Sequence, residues 1–274
     1  VGAAAALAPL PASGRAAGFV LVVAACAWRP MPPDAGAVRF TMLDVGQGLA
    51  AVVETRHHVL VYDAGPAFRS GSDAGAMAVE PFLRHRGLRQ VDVLVASHDD
   101  LDHAGGAASV AGLVPVRRLV ASGAALDAVG AVEPCLRGER WEWDGVTFEW
   151  LHPGPRRFEK DNDNSCVLRV TSGRHTVLLT GDIERLAEAE IVTHGWLAHA
   201  DIVLVPHHGS RTSSTPGFVT ATRPRWALVP SGHRNRWGFP KTDVVERWRA
   251  AGAEVLVGSA TGAIEFELHP QRPI

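Results

Sequence analysis

Cysteine is scarce in this chain: Cys26, Cys135 and Cys166 are the only three among 274 residues. No two of them form a Cys-x-x-Cys pair. An odd, scattered set argues against a disulfide framework and against a thiolate zinc site. An excess charge is lacking too, since the formal net charge is −2, which says little about partners. No internal repeat or low-complexity tract occurs within residues 38–270. The uncharged run Ala16–Trp28 falls short of the ~20 apolar residues that span a bilayer. A buried helix or a signal-peptide core fits that length as well. Val1 to Leu10 is also apolar, however, and Arg29-Pro30-Met31-Pro32-Pro33-Asp34 reads as an extended linker after Trp28. The expected organisation is therefore the end of a membrane region and its linker over 1–37, one domain over 38–270, and a short tail over 271–274. With 46% hydrophobic and 20% charged residues, the chain can bury one large core.

The most informative stretch is Ser97-His98-Asp99-Asp100-Leu101-Asp102-His103. It follows Val91–Ala96, an apolar run of strand length, and precedes Ala104-Gly105-Gly106, where a helix could begin. In an extended loop alternate side chains share a direction, so His98, Asp100 and Asp102 converge while His103 faces a neighbouring point and Asp99 points away. Four metal-capable residues within six, at the C-terminal end of a strand, indicate a cation site rather than a solvated acidic loop. Other apolar runs end the same way. Val59–Tyr62 leads to Asp63, Val177–Leu179 leads through Thr180-Gly181 to Asp182, and Ile202–Val205 leads through Pro206 to His207-His208-Gly209-Ser210. Alone, each would read as a turn, cap or polar loop. Together they suggest that neighbouring strands deliver a bridging Asp182 and a histidine to the shell begun at His98.

Strand-like runs are expected at Val38–Asp44, Ala50–Glu54, Arg118–Ala121, Val146–Leu151, Cys166–Val170, Thr176–Leu179, Ile202–Val205, Trp226–Val229, Glu254–Val257 and Ile264–Leu268. Helices are expected at Val79–Arg86, Glu184–Thr193 and Thr242–Ala251. Several strands adjoin without room for a helix, so sheets covered by helices are favoured over a regular βαβ repeat.

Charge is unevenly spread. Residues 211–250 carry Arg211, Arg223, Arg225, Arg234, Arg236, Lys241, Arg247 and Arg249 against only Asp243 and Glu246, an excess of six positive charges. A basic segment after the metal-capable motifs suits a polyanion. Arg247 and Arg249 read as a solvated helix face, whereas Arg211, Arg234 and Arg236 fall in loops suited to phosphate contact. Trp237 beside Arg236 could stack a base, but an interior position is the expectation for it.

His98-x-Asp100-x-Asp102-His103, Leu179-Thr180-Gly181-Asp182 and Pro206-His207-His208-Gly209-Ser210 resemble the metal motifs of the metallo-β-lactamase superfamily, with Asp63 at its first motif. Asp100 in place of a second histidine and Leu43-Asp44-Val45-Gly46-Gln47-Gly48 are similar to the soluble domain of ComEC-type competence proteins, the DNA-uptake channels. Asn162-Asp163-Asn164-Ser165 and Pro230-Ser231-Gly232-His233-Arg234-Asn235-Arg236 fit that branch. The resemblance implies an α/β fold, the αββα metallo-β-lactamase-like sandwich, and two divalent ions held by His98, Asp100, Asp102, His103, Asp182, His207 and His208. Such a shell suits Zn²⁺ or Mn²⁺, and its acid count leans toward the harder ion. Asp100, Asp102 and Asp182 would act in catalysis, with Asp63 orienting a ligand or water. Ser210, Arg211, His233, Arg234, Arg236 and Lys241 would contact substrate.

Two departures stand out. Asn164-Ser165 occupies the region where many members supply a histidine, leaving the His98 and Asp100 site a ligand short. Phe239 stands where the branch often has a histidine, with His233 or Lys241 as substitutes. His152 and His175 are expected at the surface or in loops. The expected function is a nuclease or phosphodiesterase acting on single-stranded or duplex DNA during uptake, on the outer face of the cell membrane. Its partners would be the membrane channel portion of the same polypeptide and other competence proteins. The alternatives are a non-catalytic DNA-guiding module and a small-molecule metallo-hydrolase such as a lactonase or β-lactamase.

Overall fold

The apolar runs of residues 38–268 pair into two sheets of seven strands each. Strands are numbered in chain order. The first sheet has the order β14 (Ile264–Leu268), β1 (Val38–Met42), β2 (Ala50–Glu54), β3 (Val59–Ala64), β4 (Val91–Ala96), β5 (Val116–Ala121) and β6 (Val132–Pro134). The second runs β13 (Glu254–Val257), β12 (Trp226–Val229), β11 (Ile202–Leu204), β10 (His175–Leu179), β9 (Val167–Ser172), β8 (Val146–His152) and β7 (Arg140–Trp143). The structure is a computed structural model that describes residues 7–8, 11–27, 30–197 and 199–274.

Three apolar clusters define the layers. Phe40, Tyr62, Phe148, Trp150, Leu168 and Leu204 fill the space between the sheets. Val52, Val61 and Leu94 pack outward against Leu83 and Val110 of the helices Glu80–Arg86 and Ala107–Leu113. On the opposite outer face, Leu178 and Val203 pack against Ile191, Phe218 and Trp248 of the helices Arg185–Thr193, Pro216–Thr222 and Thr242–Ala250. The architecture is thus αββα. Strands such as β3 and β4 are buried along their whole length, which is why, Asp63 and Asp92 apart, they read as near-continuous apolar runs rather than alternating ones.

Strand direction aligns the functional ends. β3, β4, β5 and β6 run parallel to one another, as do β10, β11, β12 and β13. The C-terminal ends of β3 and β4 therefore share one edge, as do those of β10, β11 and β12. In open parallel sheets that edge is where ligands bind.

Two expectations are corrected. Cys135, just after β6, and Cys166, just before β9, form a disulfide that ties the first sheet to the second. His152 and His175 are buried rather than superficial. His152 Nε2 donates to the Asp163 carbonyl at 2.8 Å, and His175 Nε2 to the Arg272 carbonyl at 2.7 Å.

Asp144 and Gly145 take positive φ at the hairpin between β7 and β8, with Trp143 paired to Val146, the geometry of a two-residue type I′ turn. The Asp144 carboxylate reaches the turn before β3, accepting Thr55 Oγ1 at 2.6 Å and the His57 N–H at 2.8 Å. Burial opposes its ionisation, but these donors and the His58 ring hold its carboxyl down to about 2.

Glu188 is fully buried and accepts the Ser214 and Thr215 N–H groups at 2.5 and 2.7 Å, where the helix Pro216–Thr222 begins. Burial pushes its carboxyl from 4.5 up to about 7. The folded state then binds the proton more tightly than the unfolded chain, so this group's contribution to stability falls as pH rises from about 4.5 to 7 and is flat above. The difference amounts to about 3 kcal/mol. Relative to Glu188→Gln, the wild type is expected to lose roughly 5–10 °C in melting temperature between pH 5 and pH 7.5. A gap between the two that is constant with pH, measured by thermal denaturation, would refute this.

The helix Ala12–Ala27 is described separately from the domain. It is 16 residues long and exposes Phe19, Val20, Leu21 and Val23. Among the described residues no helix is long and apolar enough to cross a membrane. Trp28 and most of residues 1–10, part of the expected membrane end, lie outside the described residues.

Candidate metal centre

Each strand end supplies its side chain through a local device. Asp63, the penultimate residue of β3, takes φ +58° and is buried. Its carboxylate accepts the Ser97 N–H at 2.7 Å and the Ser97 hydroxyl at 2.8 Å. It also accepts His103 Nδ1–H at 2.7 Å. Ser97 Oγ in turn lies 3.0 Å from His98 Nδ1 and, donating to Asp63, accepts there. His208 Nδ1 donates to the Pro230 carbonyl at 2.7 Å. These bonds put a proton on each Nδ1 and aim each Nε2 at the centre.

The convergence is not that of an extended loop. Asp100 is the N-cap residue of a helical turn, Leu101–Ala104, which carries Asp102 and His103. Gly48 has φ +140°, and a Cβ there would lie 2.2 Å from the Asp102 carbonyl. The Leu49 N–H donates to the same carbonyl at 3.1 Å. The Gly46-Gln47-Gly48 turn thus presses directly on the metal-motif backbone, which only a glycine at 48 permits.

His98, His103 and Asp182 bring donor atoms within 4.8 Å of one another, and so do Asp102, His103 and His208. His103 Nε2 lies 3.1 Å from Asp182 Oδ1 and 3.1 Å from His208 Nε2. His208 Nε2 lies 3.2 Å from Asp102 Oδ2 and 3.4 Å from Asp182 Oδ2. Bonds of about 2.1 Å to a tetrahedral or octahedral cation place neighbouring donors roughly 3.0–3.4 Å apart, so the spacing fits. His98 Nε2 is buried with no hydrogen-bond partner and lies 3.5 Å from Asp100 Oδ2. An orphaned imidazole nitrogen in a dry site is costly unless a cation takes it up. The residues present fit divalent ions.

Electrostatics agree. Burial disfavours a charged His103, yet Asp182 and Asp63 hold its pKa well above the usual histidine range. Burial acts against His208 too, and Asp182 and Asp102 carry it to about 9. Burial would raise Asp182, but His103 and His208 hold it well below the carboxylate range. The centre therefore carries excess negative charge that retains protons, which metal binding would release.

The remaining expected residues are placed as follows. His207 is outside both donor groups: its Nε2 is 3.9 Å from Asp182 Oδ2, while its Nδ1 faces Glu184 at 3.3 Å and Thr212 at 3.1 Å. Asp100 is outside them as well and is half exposed beside His98. Ser210 is buried and bonded to Thr212. Arg211 pairs with Asp243 at 2.9 Å. His233, Arg234 and Arg236 are exposed on the loop after β12, and Lys241 Nζ bonds the Trp237 carbonyl at 2.5 Å. The interior position expected for Trp237 is wrong, since it is 43% exposed.

Supporting residues went unrecognised in the sequence. Ser97 links Asp63 to His98. Ser165 Oγ receives the Asp182 N–H at 3.1 Å and donates to the Asn162 carbonyl at 2.8 Å. Asp163 accepts the Glu184 and Ala187 N–H groups at 3.0 Å each. The Asn162–Ser165 segment thus acts as a bracket for the Asp182 loop. Adjacency to a metal-capable residue was the one sequence signal for Ser97.

Two sheets with helices on both outer faces, and a carboxylate–imidazole centre at their strand ends, define a metal-binding αββα protein. The chain belongs to the metallo-β-lactamase superfamily, whose sequence model matches residues 43–233. It is 35% identical over 253 residues to Competence protein ComA of Neisseria gonorrhoeae, covering 92% of this chain and 34% of that protein. It is 34% identical over 230 residues to Recombination protein 2 of Haemophilus influenzae, covering 84% of this chain and 29% of that protein. The chain thus spans about a third of the length of these relatives. Among solved structures, the metallo hydrolase Igni18 of Ignicoccus hospitalis matches with a TM-score of 0.57 at 17% identity, covering 84% of this chain and 99% of that one. That likeness shows the fold. Fold and donor set together support a metal-dependent hydrolase.

Proposed function

We propose that this domain is a metal-dependent phosphodiesterase that cleaves DNA during competence-linked DNA uptake, with Mn²⁺ or Zn²⁺ as its ions. The observation that carries the reading is the union of a His98–Asp102–His103–Asp182–His208 donor set with a cationic rim. That rim is the loop bearing Arg234, Arg236 and Lys241, whose Phe239 ring lies 6.3 Å from the His208 ring. Dications held by these donors would supply Lewis acidity to a phosphodiester and would lower the pKa of bound water toward neutrality. The chain's own residues prepare that chemistry. Asp182 presents one oxygen toward His103 and the other toward His208. Asp63 and the Pro230 carbonyl fix the imidazoles that would otherwise rotate. The cationic rim draws in and orients a phosphate chain.

The names of the relatives support the competence setting. We place the domain on the outer face of the membrane, because the Cys135–Cys166 disulfide suits an oxidising compartment. The exposed apolar helix Ala12–Ala27 fits the end of a membrane region in the same polypeptide, whose channel portion and other competence proteins would be its partners. One observation favours a second reading, a DNA-guiding module without turnover: Ser165 braces Asp182 where a further ligand would complete the His98 site. Metal analysis of the purified domain, with a cleavage assay on single-stranded and duplex DNA with and without Mn²⁺, separates the two. Mn²⁺-dependent cleavage is expected; a metal-free protein that binds but never cuts DNA would establish the guide.

A further inference from the structure

The loop after β12 carries an aromatic ladder that the metal centre does not require. The Phe239 ring stacks over His208 at 6.3 Å and meets His207 edge-on at 5.7 Å. Trp237 continues the stack, its ring 6.4 Å from Phe239 and within 7° of parallel. The Arg236 guanidinium lies 4.2 Å from the Trp237 ring centre, and the Lys241 ammonium 5.3 Å from that of Phe239. The ladder thus runs from a metal-donor histidine to solvent in two ring steps.

The loop is held stiffly in this shape. Asn235 donates to the Gly232 and Phe239 carbonyls at 3.0 and 2.6 Å and accepts the Phe239 N–H at 2.9 Å. The Lys241 N–H is anchored on the Gly209 carbonyl at 3.0 Å, beside the histidine pair. A lone exposed tryptophan is unremarkable on a protein surface. Here it sits on a braced loop with Arg236 over its ring, and among the described residues neither Arg236 nor Arg234 of the same loop has a carboxylate partner. Arg211, by contrast, is neutralised by Asp243.

We propose that Trp237, backed by Phe239, with Arg236 at its ring and Arg234 on the same loop, is a stacking platform for an unpaired nucleobase adjoining the phosphate at the metal centre. This rests on the DNA reading above. The platform offers a ring face and cations rather than hydrogen-bonding edges, so it accepts all four bases. A base inside a duplex has its faces covered by its neighbours. The platform therefore selects single strands and frayed ends over the interior of a duplex.

The test is fluorescence anisotropy with Mn²⁺ and a phosphorothioate-linked oligothymidine, which resists hydrolysis, beside a phosphorothioate duplex of equal length. Trp237→Ala should weaken single-strand binding roughly 5- to 100-fold, the range for loss of one stacked base. It should change duplex binding less than about twofold and leave the salt dependence of affinity unaltered. Trp237→Tyr should restore most of the single-strand affinity. Arg234→Ala should weaken both DNAs and flatten the salt slope by roughly 0.7–0.9. Equal losses on both DNAs, or single-strand binding untouched by Trp237→Ala, would overturn the platform while leaving the DNA reading in place. A wild-type protein that binds neither DNA refutes the DNA reading, and the platform with it.

Discussion

Under the proposed function, Asp182→Ala is expected to abolish Mn²⁺-dependent DNA cleavage, lowering kcat/KM by roughly 10³-fold or more, and to reduce the metal content of the purified domain sharply. The expectation follows from what each oxygen faces. Oδ1 lies 3.1 Å from His103 Nε2 and Oδ2 3.4 Å from His208 Nε2, so one side chain serves both halves of the centre. Loss of several kcal/mol of charge stabilisation converts to that scale of rate. Asp100→Ala should also stop turnover, because Asp100 is the carboxylate beside the orphaned His98 Nε2. His207→Ala should cost far less, since His207 stands outside both donor groups. The fold should survive in all three. The Asp182 backbone is held by Ser165, and Asp100 is a half-exposed cap without a capping hydrogen bond. Wild-type cleavage by either aspartate variant, with an unchanged circular dichroism spectrum, would remove Asp182 or Asp100 from the site.

Where burial and strand direction decide placement, the chain could be read directly. β12, β13 and β14 have the bounds expected of them; β12 is buried along its whole length and β14 alternates apolar and exposed acidic residues, the two patterns a strand shows most plainly. The strand-end positions of Asp63, His98, Asp182 and His208 were legible for the same reason. What escaped was local or long-range. The helical turn Leu101–Ala104 hides inside a stretch too short and too acidic to show a helical period, so the sequence suggests convergence by extended alternation instead. β6 and β7 are edge strands of three and four residues with exposed charges, and such edges resemble loops. The division of labour between His207 and His208 depends on two consecutive left-handed residues, at φ +50° and +54°, which turn adjacent side chains apart. Backbone strain of this kind costs about 1–3 kcal/mol per residue and has no compositional signature. Trp237 departs from the expected interior position because a tryptophan's usual preference for the interior says nothing about a loop braced at a site's rim.

Cysteine pairing is the plainest case of a contact no spacing rule could show, and its removal has a large expected effect. Cys135 and Cys166 are 31 residues apart and join the end of β6 to the start of β9. Closing a loop of that length in the unfolded chain lowers its entropy by an amount worth about 3–4 kcal/mol at 25 °C. The neighbourhood amplifies this. The Cys166 N–H donates to the Ser97 carbonyl at 2.9 Å, and the Cys166 carbonyl accepts the buried Tyr62 hydroxyl. Ser97 in turn holds Asp63 and faces His98. Cys135→Ser with Cys166→Ser is therefore expected to lower the melting temperature by roughly 6–16 °C and to loosen metal affinity, whereas the wild type treated with reductant should move the same way. If the domain faces an oxidising compartment, protein recovered from cells should carry no reactive thiol at either position. Quantitative alkylation of Cys135 and Cys166 in that protein, with Cys26→Ser as the background, would place the domain on the reducing side of the membrane instead.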